Sequence, residues 1–280
     1  MTAHGELNMF KMSTLGKLAG AGVISLMMLS SFGAQARTLQ QIMESKTLIV
    51  GVNPNLPPLG VYDAKNQISG FDATVAQKIA DQMGVKLQLV AVGSNDRVPF
   101  IMADKIDAVM GGMTRNDQRM QVVDFTDPVN TEVLGILTTN KTTYKNVQQL
   151  NDPSVRLVQV RGTTPIKYIQ DNVPKAQLLI LDNYPDAVRA IAQGRADALI
   201  DVLDFMLDYT KKYPTQWRVV DEPIEVDYDC IAVSKGNTDL RVRLNQAIDT
   251  LQKDGFIAAT WKKWFGHAML HDPTASPTKY

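Results

Sequence analysis

The sequence has almost none of the side chains that staple or metallate small exported domains. One cysteine in 280 residues, Cys230, excludes an intramolecular disulfide. Within "DYDCIAV" it reads as a small buried hydrophobe rather than a reactive thiol. His267 and His271 stand four apart, but alanine follows His267, so the base of an H-E-x-x-H zinc site is missing and no metal is expected. A G-x-S-x-G elbow, a P-loop and a Cys-x-x-Cys pair are all absent, which leaves no catalytic motif and no cofactor to name. Charge of one sign is lacking too. Lys and Arg number 29 against 29 Asp and Glu, without a basic cluster, which argues against nucleic acid or an anionic membrane surface as partner.

An apolar run from about Leu18 to Phe32 follows Lys11 and Lys17 and ends at Ala34-Gln35-Ala36. It is too short for a comfortable membrane span and has the three-part form of a cleaved secretory signal, residues 1–36; an uncleaved anchor is the alternative. No cysteine follows the run, so lipid attachment at the new amino terminus is excluded and a soluble periplasmic protein is expected. Cleavage removes two bases and one acid from the 29 of each, leaving a formal charge of −1.

Beyond residue 36, strand-like and helix-like segments alternate, which predicts an α/β fold. A first set comprises strands at 47–52, 86–92 and 106–111, with helices at 70–84 and 96–105. The longer helix places Phe71, Val75, Ile79 and Met83 on one face and ends at Gly84. A second set has strands at 155–160, 176–181 and 196–200. Its helices span 164–172, with Thr164 as N-cap and Pro165 first, and 185–194. "ADKIDAVMGG" and "AQGRADALIDV" share a phrase in which Asp-Ala opens an apolar strand, pointing to two similar lobes with mainly parallel sheets. Extended runs at 127–139 and 221–237 cross between the sets and form a two-segment hinge. A capped helix near Asp239 and the stretch 255–266, with Trp261, Trp264 and Phe265, return to the first lobe. The expected lobes are 37–130 with 229–280, and 131–228. Ligands of open α/β sheets sit beyond the carboxyl ends of the strands, which selects loops 53–60, 93–97, 111–119, 161–164 and 201–204.

Five stretches taken together, "GFDATVAQKIADQMGV", "RVPFIMADKIDAVMGGMTRNDQR" with "VVDFTDP", "VRGTTP", "QGRADALI" and "DCIAVSKGN" through "WKKWFG", resemble the periplasmic amino-acid-binding proteins of ABC importers, solute-binding family 3, over residues 46–266. The resemblance implies a type II periplasmic-binding fold whose lobes close on a small ligand. It assigns the ligand carboxylate to Arg119, with Gly112 and Thr114 as neighbours, and implies an ABC permease as partner to a monomeric binding protein. A planar guanidinium suits this role because its parallel donors match a carboxylate's oxygens. A surface ion pair with Asp117 or Asp124 is the alternative for Arg119. From the facing lobe Thr163 and Thr164 stand at a helix amino terminus, which favours an anion.

The chain departs from the family's pattern at the other end of the ligand. Asn53 stands where the family places an acid, Leu56 and Ser94 where it often has aromatics, and Val202 where it has the ammonium-binding aspartate. Asp201 is the candidate to swing into the cleft, Asp204 caps a helix or does the same, and Arg97 either lines the cleft or forms a salt bridge. The expected function is capture of a small carboxylate, most simply an amino acid, without catalysis. An exported enzyme on this fold, similar to dehydratases of cyclic carboxylates, and a ligand sensor for a receptor are the alternatives.

Overall fold

Thr38 opens the first helix with a reciprocal cap. Its hydroxyl accepts from the Gln41 amide at 3.2 Å, and the Gln41 side chain accepts from the Thr38 amide at 2.8 Å. Helix α1 (Leu39–Ser45) leads into β1 (Thr47–Val52). The structure, a computed structural model, describes residues 36–211, 213–220 and 223–276, so residues 1–35 of the expected export segment lie outside it.

Strands β2 (Asn55–Leu56), β3 (Gly60–Tyr62) and β4 (Ile68–Ser69) form a small antiparallel sheet. Helix α2 (Phe71–Met83) buries Phe71, Val75, Ile79 and Met83, the face its spacing predicts, and Gly84 closes it at φ 69°. Strand β5 (Lys86–Ala91), helix α3 (Arg97–Met102), strand β6 (Ala108–Val109) and the single turn α4 (Asp117–Met120) complete the first set. Strand β6 is shorter than the 106–111 expected because Gly111 and Gly112, at φ 82° and 66°, turn the chain out of the sheet.

Strand β7 (Val123–Thr139) then runs 17 residues through the molecule. The second set follows: β8 (Arg156–Val160), α5 (Pro165–Asn172), β9 (Gln177–Leu181), α6 (Tyr184–Ala192), β10 (Ala198–Val202) and α7 (Leu203–Thr210). Strands β11 (Trp217–Val220) and β12 (Val226–Ser234) lead back to α8 (Thr238–Lys253) and α9 (Phe256–Phe265). Two expected caps differ. Thr164 has helical backbone angles and makes no side-chain cap, and Asn237 precedes α8 without capping it by its side chain.

The main sheet runs β5-β1-β6-β12-β7-β10-β8-β9, with β11 also on β7. Strands β5, β1 and β6 are parallel, as are β10, β8 and β9. Between these groups β7 pairs antiparallel with β12 from Val123 to Val133, then with β10 from Leu134 to Thr138. Each parallel group with its helices is one lobe of a two-lobed α/β architecture, and β7 and β12 are the strands that serve both. The carboxyl ends of β1, β5, β6, β8 and β10 therefore meet at one cleft.

The return of the carboxyl-terminal helices to the first lobe is an aromatic contact. Trp261 is fully buried, stacks on Phe265 at 3.7 Å between centroids and meets Phe71 edge-on at 5.2 Å. Trp261→Ala is expected to cost about 3–5 kcal/mol of stability, the usual range for emptying a large aromatic site, as measured by urea unfolding.

Candidate functional site

The glycine pair after β6 is dictated by space. A Cβ on Gly111 would stand 2.9 Å from the Asn53 amide nitrogen, and one on Gly112 would stand 3.0 Å from Leu56 Cδ2. Both carbonyls accept from Arg97 Nη1, that of Gly111 at 2.8 Å. Arg97 also donates from Nε to Ser94 O at 3.0 Å and from Nη2 to Gly162 O at 3.1 Å. The last bond crosses the cleft, since Gly162 follows β8 in the second lobe.

Arg119 reaches the same oxygen. Asn116 caps α4 by accepting from the Arg119 amide at 2.9 Å, which sets the side chain facing the cleft. Its Nη1 donates to Thr114 O at 2.5 Å and its Nη2 to Gly162 O at 2.8 Å. Two guanidinium groups of one lobe thus converge on one acceptor of the other. Asp124, an alternative partner for Arg119, instead pairs with Lys235 at 2.9 Å. Burial, with the like charge of Arg97, pulls the Arg119 guanidinium down to about 9, still cationic at neutral pH. Burial lowers Arg97 too, against the pull of Tyr184, Asp229, Glu132 and Asp72.

Those acids are the surprise of the site. Glu132 on β7 accepts from Thr114 Oγ1 at 2.9 Å, and Asp229 on β12 accepts from Asn130 Nδ2 at 2.9 Å. The Glu132 and Asp229 carboxyls also stand close enough for the charge of Asp229 to raise Glu132 further. Burial pushes Glu132 well above the usual carboxylate range and Asp229 to about 6. Asp72, in the first turn of α2, accepts from the Gly111 amide at 2.7 Å, yet burial carries it to about 7. Asp201, the penultimate residue of β10, has Oδ1 accepting from the Val202 amide at 2.7 Å, and the Tyr184 hydroxyl stands beside its carboxyl. Burial pushes Asp201 to about 8.

Leu56, Arg97, Gly112, Thr114, Thr163, Thr164 and Asp201, all expected from sequence, line one small cavity with Glu132 and Tyr184. It offers about 10 Å³ to the centre of a water-sized sphere, room for about one water, so a larger ligand enters this cavity only if the lobes part. Arg119 and Ser94 line the adjoining open groove of about 1210 Å³, which Arg97, Thr163 and Thr164 share. Asn53 lines neither space. Its amide donates to Ser94 Oγ at 3.1 Å, and its Oδ1 accepts from the Asn55 amide at 3.0 Å. Asp204 also stands apart, with Oδ1 3.4 Å from His267 Nε2 and no side-chain cap on α7. Thr163 Oγ1 donates to Val160 O at 2.7 Å, and burial pushes Asp227 to about 7 against the pull of Arg119 and Thr164.

Glu132, Asp229 and Asp72 were not found from sequence. A signal existed for the first two: "NTEVLGILTT" and "DYDCIAV" each carry a charge inside a run otherwise fit for a buried strand, where an acid is costly without a partner. The raised group at Asp201 has a measurable consequence. Its folded form holds a proton that the unfolded chain has lost, so its burden on stability grows as pH rises from about 3.8 to about 8. In ligand-free protein, Asp201→Asn is expected to melt above wild type at about pH 8 and level with it at about pH 4, as read by thermal scans.

Comparison with known proteins places this geometry. The model for bacterial extracellular solute-binding proteins, family 3, matches residues 48–267. The L-cystine-binding protein TcyJ of Escherichia coli (strain K12) is 28% identical over 262 residues, covering 91% of this chain and 98% of that protein. The ABC transporter glutamine-binding protein GlnH of Bacillus subtilis (strain 168) is 30% identical over 235 residues, covering 81% and 84%. Among solved structures, the ancestral amino acid-binding protein AncCDT-1, a precursor of cyclohexadienyl dehydratase, superposes with a TM-score of 0.75 at 30% identity, covering 81% of this chain and 98% of that one. With cleft, crossing strands and paired arginines in place, the chain belongs to the bacterial extracellular solute-binding proteins of family 3.

Proposed function

We propose that the protein is exported by a cleaved signal, residues 1–36, captures an amino acid or closely related carboxylate in the periplasm, and delivers it as a monomer to the permease of an ABC importer. The observation that carries this is the convergence of Arg97 and Arg119 on Gly162 O, which marks a place for acceptor oxygens between the lobes. Arg119 spends one hydrogen on each of two carbonyls. Its Nε and one hydrogen of each terminal nitrogen remain for the two oxygens of a carboxylate. Thr114, Gly112, Thr163 and Thr164 flank that place, and Leu56 covers it. Lobe 1 comprises 37–130 and 229–280, lobe 2 comprises 131–228, and opening along β7 and β12 admits the ligand.

The test is a thermal-shift screen of the standard amino acids, L-cystine and their 2-oxo acids, with mass spectrometry of small molecules released from the purified protein. Stabilisation by at least one amino acid, unchanged on recovery, is expected, because a ligand bound only to the folded form raises its midpoint. No shift with any of them removes this function.

Asp201 and Glu132 also favour a second reading, because both line the cavity and hold protons near neutral pH. An enzyme that removes water from a cyclic carboxylate needs such a donor. Product formed from the recovered ligand would select this reading over transport.

A further inference from the structure

The chain continues past its last helix as a segment fixed along its length. Gly266 ends α9 at φ 84°, and residues 266–276 carry a single 3-10 turn, Pro273–Ala275. Thr131 Oγ1, on the crossing strand β7, donates to His271 O at 3.0 Å. Farther on, Arg115 Nη2 of the first lobe donates to Ser276 Oγ at 2.8 Å, and Pro273 and Ser276 are buried. The start of the segment meets the second lobe at α7. There Phe265 lies 5.9 Å from Phe205 between ring centroids, and His267 Nε2 lies 3.4 Å from Oδ1 of Asp204, in the first turn of the helix. The Asp204 side chain is 1% exposed, and among the described residues neither of its oxygens accepts a hydrogen bond. His267 is the charge that bears on it. Elsewhere around α7, Asp208 pairs with Lys211, Arg189 of α6 pairs with Asp186, and Arg218 of β11 donates to the carbonyls of Thr142 and Tyr144. Glu132 of β7, Asp201 of β10 and Tyr184 of α6 line the cleft cavity, and Lys262 and Lys263 of α9 are exposed.

We infer that residues 266–276 form a strap across the hinge, fastened to the second lobe by Asp204 and His267 while that pair holds a proton, so that acidity favours the shut cleft in the ligand-free protein. The inference goes beyond capture and does not depend on which ligand is captured. The geometry sets the proton's part. His267 Nδ1 lies 2.8 Å from Ala268 O, and a carbonyl only accepts, so Nδ1 carries a hydrogen. A neutral ring therefore turns the lone pair of Nε2 toward Asp204, and a lone pair and a carboxylate repel. A second proton on the ring, or one on the carboxyl, makes the same contact attractive. Burial, which raises the Asp204 carboxyl to about 6 against the pull of His267, adds to the cost of the unprotonated pair. As the lobes part, Asp204 and His267 separate into water and the proton leaves to solvent. The shut form thus binds more protons than the open one across the range where histidine changes charge, about pH 5 to 8, and opening is favoured as pH rises. The contact of Phe205 with Phe265 is indifferent to pH and gives the strap a constant share of its hold.

The test is small-angle X-ray scattering of the protein at about pH 6 and about pH 8, read as a ratio of open to shut forms, with mass spectrometry to verify that no small molecule is bound. One proton lost on opening changes that ratio by up to about tenfold per pH unit, so a rise of about tenfold across the range is expected. Asp204→Asn keeps the shape of the side chain and drops its charge. His267→Gln replaces a side chain that is 39% exposed, so the fold tolerates it. In each of these variants the ratio is expected to be the same at both pH values, and the double variant is expected to behave as either single one, because the two residues act as a pair. A ratio independent of pH in the wild type, or one that changes equally in the wild type and the variants, overturns the inference. Either result leaves amino-acid capture standing, and a ligand screen without a shift leaves the strap standing.

Discussion

Arg119→Ala is expected to lower affinity for the proposed amino-acid ligand by about thirtyfold or more and to leave the ligand-free protein close to wild type in thermal stability. Truncating one partner of a buried, hydrogen-bonded charge pair costs about 2–5 kcal/mol, and each 1.4 kcal/mol is a factor of ten. The fold tolerates the loss because Arg119 is half-buried at the groove. Its two acceptors, Thr114 O and Gly162 O, lie where water reaches once the side chain is gone. Gly162 O keeps its bond from Arg97. Arg119→Lys restores the charge without the fork, so it recovers only part of the affinity. Calorimetry with the ligand from the screen, beside a thermal scan of each variant, reads both halves of the expectation. Affinity unchanged in Arg119→Ala removes the carboxylate from this side chain.

Much of this architecture was legible because it is local. The buried face of α2 follows from residues three and four apart, and Gly84 and Gly111 stop their elements by backbone conformations that other residues avoid. The cleft loops follow from strand ends alone, and most of the residues that the family resemblance selects there line the cavity or its groove. What was illegible depends on the meeting of distant segments. Arg97 looked no more than a possible cleft residue, yet its four acceptors come from Ser94, Gly111, Gly112 and Gly162, three separate loops. The family pattern puts Asn53 at the ligand, but its side chain donates to Ser94 Oγ and accepts from the Asn55 amide. The acids of the crossing strands were hidden by their pairing: Glu132 lies opposite Asp227, and Asp229 opposite Asn130, across a register that no single segment displays. By sequence, Val202 leaves the cationic end of a ligand unserved. Its amide instead holds Asp201 Oδ1, and Asp201 lines the cavity beside Glu132.

Arg97→Ala is expected to cost about 3–5 kcal/mol of stability, the cost of breaking a buried ionic cluster by removing one side. For a chain of this size, about 2–4 °C accompanies each kcal/mol, so the midpoint falls by roughly 6–20 °C. Two losses combine. The carbonyls of Ser94, Gly111 and Gly112 are buried or half-buried and lose the guanidinium donor, and the tie to Gly162 across the cleft is cut. The 2% exposed cation that offsets Asp72, Glu132 and Asp229 also disappears. Those groups then become harder still to ionise, so the variant folds with more protons bound than wild type. Stability of a state that binds extra protons falls as pH rises, which sets the sign. The gap between Arg97→Ala and wild type is therefore widest near about pH 8 and narrows toward about pH 5, where the acids are largely neutral and only the orphaned carbonyls count. Arg97→Lys carries the charge but cannot span acceptors from three loops, so it closes the gap at high pH more than at low pH. Thermal scans of the three proteins across this range measure the two contributions separately. A gap that stays constant with pH would mean that Arg97 acts through its hydrogen bonds alone, and that the acids around it hold their protons without regard to its charge.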